Sequence, residues 1–404
     1  MSALEDVKII DFTWVVAGPM VTKFLTDYGA TVIKVETRQR PDRLRVNTPY
    51  KDNIPGLNRS GYFAFFNANK YSISLNLNHP QAREIARKLI IWAGTTVDNF
   101  TPGSLERWGL GYKDLIKERP DLIMLSISAQ GQTGRYAQHV AFGTQLSGLA
   151  GFTEITGWPD REPAQPYGAY TDYIGPYFAA AILLASLDYR RRTGKGVYID
   201  VSQFEASLHF LSPILLDYFV NGRVCPRMGN SHSFAAPHGV YRCRGDDRWC
   251  AISVMNDTQW QALCKIMEAH RLTWPKEEKF STLLGRKENE PELNCFIERW
   301  TVEHTAEEVM TCLQKAGIPA SVVETAQDLL NDPQLKARNH FWHLAHPEIG
   351  AFSHLGQAAK LSKTPAKGVR PAPCLGEHTE FICRKILGIT DADFISMLSE
   401  SVFD

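Results

Sequence analysis

Asp172 lies in "YGAYTDYIGPYFAAAILLASLDYRRRTGKG" (residues 167–196), a lone acid just ahead of a long apolar run. Gly175-Pro176 reads as the start of a helix, because proline is pre-shaped for the first helical position and needs no amide donor there. Phe178 to Leu187 carries no charge, which predicts a buried rather than an amphipathic helix. On local grounds the acid is a cap, since Asp favours helix starts and the macrodipole favours its charge. Whether it also does chemistry depends on what the rest of the chain supplies.

At 404 residues the chain exceeds one ordinary domain, and two lobes are expected. Hydrophobic residues make up 44% and charged residues 22%, enough for a sizeable core with a soluble surface. Lys+Arg 44 against Asp+Glu 44 leaves no net charge, which argues against nucleic acid or an anionic membrane as partner. No apolar stretch reaches spanning length, and MSALEDVKIIDF has neither a basic leader nor a cleavage pattern, so a cytoplasmic protein is expected. All eight cysteines follow residue 224 without a CxxC pair, a pattern that predicts reduced, unbridged thiols. His340, His343, His346 and His354 lack the spacing of a metal motif, and Pro347 interrupts them. No metal is expected.

The first half alternates strand and helix. Strands are expected at Val7–Phe12, Ala30–Val35, Thr95–Asp98, Leu122–Ile127 and Val197–Val201. Helices are expected at Met20–Tyr28, Gln81–Trp92 and Leu105–Lys117. Such alternation implies a parallel sheet covered by helices. The layout is therefore α/β: a large Rossmann-like domain over residues 1–205, a linker at 206–224, and a smaller α+β domain over 225–325. Residues 326–404, rich in Pro, His and Gly, read as a return segment with a helix near Glu377–Leu387 that completes the large domain.

The opening βαβ unit invites a nucleotide, and Glu36 ends its second strand where dinucleotide folds keep an acid for the ribose. The turn reads Trp14-Val15-Val16-Ala17-Gly18-Pro19, however, without G-x-G-x-x-G, and no G-x-x-x-x-G-K-[ST] occurs. Hydride transfer and ATP-driven ligation both lack their phosphate cradle.

Four ordered blocks carry a resemblance: "VVAGPMVTKFLTDYGATVIKVE", "NANKYSISLNL", "VDNFTPGSLERWGLGYKDL" and "TDYIGPYFAAAILLASLDYRRRTGKGVYIDVSQFEA". Together they are similar to the class III coenzyme A-transferases of the formyl-CoA transferase/CaiB–BaiF type, nearly from end to end. The resemblance implies that Asp172 is the catalytic nucleophile, kept ionised by the helix end. It implies aspartyl anhydride and aspartyl-CoA thioester intermediates, acyl-CoA and a carboxylic acid as substrates, and no ATP, metal or permanently bound cofactor. It implies an interlocked dimer with an identical or homologous subunit. The CoA contacts it implies are Val16, Ala17, Arg38, Asn69, Lys70, Asn99, Phe100 and Arg107, with Lys34 more doubtful inside a strand. Backbone amides near Gly143 or Ala17-Gly18 are the candidate oxyanion donors.

Arg135 in "GQTGRYAQHV" replaces a proline usual in the family, and the family's active-site glycine-rich loop has no counterpart near 225–260. "FGTQLSGLAGFTEITGWPD" followed by "PYGAYTDY" resembles the subunits that move CoA from succinyl-CoA to benzylsuccinate-like acids in anaerobic aromatic degradation. Phe142 and Trp158 are candidates for an aromatic acyl group, with core packing as the plainer role. His139 precedes Ser147-Gly148 at the distance found in the related α-methylacyl-CoA racemases, which pair a histidine with the aspartate equivalent to Asp172. Exchange of an α-proton by His139 and Asp172 is thus the alternative activity.

Overall fold

The structure is a computed structural model and describes residues 2–404. The chain divides into two compact units. The larger comprises residues 2–152, 165–224 and 333–404; the smaller comprises residues 153–164 and 225–332.

The larger unit is built on six parallel strands: β1 (Lys8–Asp11), β2 (Thr31–Glu36), β3 (Tyr71–Ser74), β4 (Thr95–Asp98), β5 (Ile123–Ser128) and β6 (Val197–Ser202). They lie in the order 3-2-1-4-5-6, so the chain reverses direction between β1 and β4. In such doubly wound sheets ligands bind beyond the carboxyl ends of the strands, at that reversal. β2, β4 and β5 are rich in Val, Ile and Thr and buried on both faces, as strands inside a parallel sheet are. The helices Ala17–Asp27 and Thr171–Thr193 cover one face, burying Val21, Leu25, Ala179, Leu183 and Leu187 against β5 and its neighbours. Pro80–Ala93 and the chain's C-terminal residues cover the other, where Ile85, Leu89, Ile382, Phe394 and Phe403 share a core.

The return segment is woven into this unit rather than laid over it. Asn69 holds it: its side chain donates to Asp27 at 2.7 Å and to the Lys367 carbonyl at 2.8 Å, and accepts from the Val369 and Arg370 amides. The same segment contributes an antiparallel hairpin, Phe341–His346 paired with Gly350–Leu355. That hairpin was not foreseen. The turn between its strands is where Pro347 interrupts the histidines.

Several boundaries differ from expectation. Residues 206–221 are helical rather than an open linker, and residues 153–164 belong to the smaller unit. Leu105–Lys117 is two short turns, Ser104–Arg107 and Tyr112–Leu115, because Gly109 takes φ +71° between them. The C-terminal helix near Glu377 is a single turn followed by a wide π-type turn, and a further helix spans Asp391–Ser399. The smaller unit packs helices such as Asp257–Ala269 and Ala306–Lys315 on an antiparallel sheet of β7 (His238–Arg242), β8 (Trp249–Ser253) and β9 (Ala320–Val322). All eight cysteines are free. Among the described residues, no helix is long and apolar enough to cross a membrane, and no group of His, Cys, Asp or Glu is placed to hold a metal ion.

Candidate active site

The helix that carries Asp172 begins at Thr171, one turn earlier than Gly175-Pro176 suggests, and Pro176 lies inside it. Proline there has no N–H for the Asp172 carbonyl, which is tolerable only near a helix start. The helix ends on Arg190–Arg192 and Gly194, whose φ of +71° lets its amide reach the Arg190 carbonyl. One face is buried through Ala179, Ala180, Leu183 and Leu187, but Tyr177, Phe178 and Ile182 are exposed on the other. The helix is half-buried in the single chain, not fully buried.

Asp172 is held from one side by the segment at Gly143. The Gly143 amide donates to the Asp172 carboxylate, the Thr171 hydroxyl donates to the Gly143 carbonyl at 3.2 Å, and Ser147 donates to the same carbonyl at 2.7 Å. A Cβ at residue 143 would stand 2.7 Å from Asp172 Cγ and 2.6 Å from Ala169 Cβ, so only glycine allows this approach. Gly143→Ala is expected to displace the carboxylate and lower turnover about 10- to 100-fold, the scale of a 1 Å misplacement. Steady-state kcat, with folding confirmed by circular dichroism, checks it.

Asp172 is 7% exposed. Burial pushes its carboxyl up to about 7, against which only the Gly143 amide pulls. Desolvation therefore opposes the ionisation that the helix end is expected to favour. Asp11 at the end of β1 shows the contrast. Burial raises it too, but Lys70 at 3.0 Å, Lys34 and two threonine hydroxyls hold it below the usual carboxylate range. Among the described residues, no cation pairs with Asp172. A desolvated carboxylate of raised basicity, still about half ionised near neutrality, is a better nucleophile than an ion-paired one.

Asp172 opens into a cavity of about 560 Å³, within the range of ligand sites. Its lining comes from the carboxyl ends of all six strands, where the 3-2-1-4-5-6 order predicts a ligand. Val16 and Ala17 line it from the loop after β1, Asn99 and Phe100 from the end of β4, and Arg107 from the turn that follows. His139 and Phe142 line it on the approach to Gly143. His139 is exposed, its ring 4.8 Å from that of Tyr136. Phe142 is 43% exposed, so it is not core. Trp158 belongs to the smaller unit and packs on Gly229 there.

Three expected CoA contacts do not line the cavity. Arg38 is exposed between the lining residues Thr37 and Gln39. Asn69 is spent on the return segment. Lys70 is fully buried, its ammonium shared among Asp11, the Pro19 carbonyl and Asn67. No face of it remains for a phosphate. Lys34 is likewise buried, donating to the Thr13 carbonyl and paired with Asp42 at 3.1 Å.

These buried charges shape the first loop instead. Asp42 accepts the amides of Val15 and Leu44, both at 3.0 Å. The Asn99 side chain pins Trp14 reciprocally, accepting its amide and donating to its carbonyl, both at 2.8 Å. Between these clamps Val15 takes φ +63°, a strained conformation for a β-branched residue.

Two cavity arginines were missed in "RQRPDR": Arg40, 5.4 Å from the Trp14 ring, and Arg43, 5.4 Å from the Phe142 ring. The signal was the run of arginines at 38, 40, 43 and 45 directly after β2. Arg45 is not available, being buried and bidentate on Glu36 at 2.8 and 2.7 Å. That pair also removes Glu36 as a ribose ligand. Trp14, Phe100 and Trp108 form an edge-to-face series along the wall by Arg107.

Fold and site thus define a doubly wound α/β enzyme with one unpaired carboxylate in a ligand-sized cleft. Residues 4–379 match CoA-transferase family III, and the chain belongs to that family. It is 31% identical over 401 residues to the succinyl-CoA–D-citramalate CoA-transferase of Chloroflexus aurantiacus, covering 99% of this chain and 98% of that one. It is 31% identical over 404 residues to the succinyl-CoA:glutarate CoA-transferase of Mus musculus, covering 100% and 91%. A CAIB/BAIF family protein from Brucella suis has the same fold, with a TM-score of 0.86 and 29% identity over 95% of this chain and 99% of that one.

Proposed function

We propose that the enzyme moves CoA from succinyl-CoA to a second dicarboxylic acid through covalent intermediates on Asp172. The observation that carries this is the buried, cation-free Asp172 carboxylate at the wall of the cavity. An Asp172 oxygen attacks the thioester carbonyl and expels CoA thiolate, leaving a mixed anhydride. The thiolate then attacks the Asp172 carbonyl, releasing the donor carboxylate and leaving an aspartyl-CoA thioester. The acceptor acid reverses both steps. Each intermediate keeps the activation of a thioester, so the exchange needs no nucleotide. The Gly143 amide, already on the Asp172 carboxylate, is placed to receive the negative charge that develops on that oxygen.

The named relatives act on citramalate and glutarate with succinyl-CoA, which supports a dicarboxylate acceptor here. A benzylsuccinate-like acid is one member of that class and belongs in the acceptor panel. Val16, Ala17, Asn99 and Phe100 line the proposed CoA half, with Arg40 and Arg107 as its phosphate contacts. Arg40→Ala and Arg107→Ala are each expected to weaken acyl-CoA binding about tenfold, with less effect on the free acid. Isothermal titration with each ligand measures it. The apolar face of Tyr177, Phe178 and Ile182, with Phe178 against His209 at 5.3 Å, fits coverage by a second chain in an interlocked dimer. Sedimentation at nanomolar concentration tests that assembly.

The deciding experiment supplies succinyl-CoA without acceptor and weighs the intact protein. An adduct of CoA mass, lost on Asp172→Asn, supports the transferase. A second reading draws on the shared cavity of His139 and Asp172: proton exchange at the α-carbon of a 2-methylacyl-CoA. Deuterium uptake from heavy water without any adduct would establish it instead.

A further inference from the structure

We propose that Arg43 is the specificity residue of the acyl half, binding the distal carboxylate of the dicarboxylic acid while Asp172 works at the other end. The proposal rests on the transferase reading and adds what selects its substrate. Arg43 opens a short turn, Arg43–Val46, whose backbone is fixed from both sides. Asp42 accepts the Leu44 amide at 3.0 Å, and the side chains of Leu44 and Arg45 are buried. The Arg43 side chain instead reaches the cavity, its guanidinium 5.4 Å from the centre of the Phe142 ring.

That position is close to the chemistry. Phe142 immediately precedes Gly143, whose amide meets the Asp172 carboxylate. Five other basic groups near the site have places of their own. Arg45 is spent on Glu36, and Lys34 and Lys70 are buried in ion pairs. Arg107 donates to the Ser104 hydroxyl at 3.0 Å, and Arg40 lies over Trp14, both by the aromatic wall of Trp14, Phe100 and Trp108. Arg43 has no hydrogen-bond or ion-pair partner among the described residues. A ring beneath it orients the guanidinium plane without using its N–H donors. A free, oriented fork of donors matches a carboxylate in bidentate geometry. An acid with one carboxylate reacts at Asp172 but leaves Arg43 unmatched.

The test compares succinyl-CoA with butyryl-CoA as donors, and glutarate with valerate as acceptors, in the full-length protein and in Arg43→Gln and Arg43→Lys. Arg43→Gln is expected to lower the preference for the dicarboxylic member of each pair, as a ratio of kcat/KM values, roughly 10- to 100-fold. Arg43→Lys keeps the charge without the fork and is expected to restore part of that preference. If the wild-type protein forms the CoA adduct and transfers, yet the preference is unchanged in Arg43→Gln, the assignment of Arg43 is overturned alone. If both members of each pair fall equally, Arg43 acts on folding or positioning and the assignment again fails. If no acyl-CoA gives an adduct or transfer in the wild type, the transferase reading falls, and this proposal with it.

Discussion

Asp172→Asn is expected to lose CoA transfer by on the order of 10⁴-fold or more, because an amide cannot open the proposed covalent route. The CoA adduct expected by intact mass should disappear with it, along with the inactivation by borohydride expected from reduction of an aspartyl thioester. The wild-type rate of adduct formation is expected to rise with pH through about 7, since the proposed attacking species is the carboxylate and burial pushes it up to about 7. The same shift has a consequence for stability. The folded pKa lies above the ordinary value of 3.8, so the protonated acid stabilises the fold fully below about pH 4, and that contribution fades as pH rises through about 7. Asp172→Asn removes a buried charge above that window. It is therefore expected to unfold later than the wild type at pH 8, by up to about 4 kcal/mol, and at nearly the same point at pH 4. Urea midpoints at the two pH values measure this. A variant no more stable at pH 8 than at pH 4, relative to wild type, would show that Asp172 is solvated rather than strained.

The place of Asp172 at the cavity was legible in the lone acid before an uncharged apolar run and in the order of the four blocks around it. The start of its helix was not. Pro176 suits a first turn, and nothing local distinguishes a proline at the first position from one a turn later. The parallel sheet was legible wherever a strand held Val and Ile in runs, as in β2 and β5. β3 is only YSIS, and it escaped notice because its burial depends on β2 beside it and the return segment beyond it.

Charge was the least legible property of the site. Lys70 and Arg107 look equally free in the sequence. Lys70 is claimed by Asp11, 59 residues away, and Arg45 by Glu36 at the end of the neighbouring strand. A basic residue in a matched block therefore marks the site's neighbourhood without saying whether it meets the ligand or holds the loop that does. Here the buried set, Asp11, Lys34, Asp42 and Lys70, shapes the loop after β1. The exposed set, Arg40, Arg43 and Arg107, faces the cavity.

That division leads to the largest expected effect on stability. Asp42→Ala leaves Lys34 buried without its partner, a loss of about 3–5 kcal/mol for a buried pair broken from one side. It also frees the Val15 amide, so the strained φ of +63° is no longer imposed. Two further variants separate these effects. Asp42→Asn keeps an oxygen for the Val15 and Leu44 amides while removing the charge, so it is expected to lose stability but keep much of its affinity for acyl-CoA. Lys34→Met with Asp42→Leu replaces the pair by apolar groups of similar bulk, which commonly recovers the stability lost with one partner. Nothing in the double variant accepts the Val15 amide, however. It is expected to regain its urea midpoint while KM for acyl-CoA stays raised about tenfold, because the loop bearing Val16 and Ala17 has lost its clamp. A double variant with wild-type KM would mean that the loop holds its shape through Asn99 alone, and that the buried pair serves the fold and not the site.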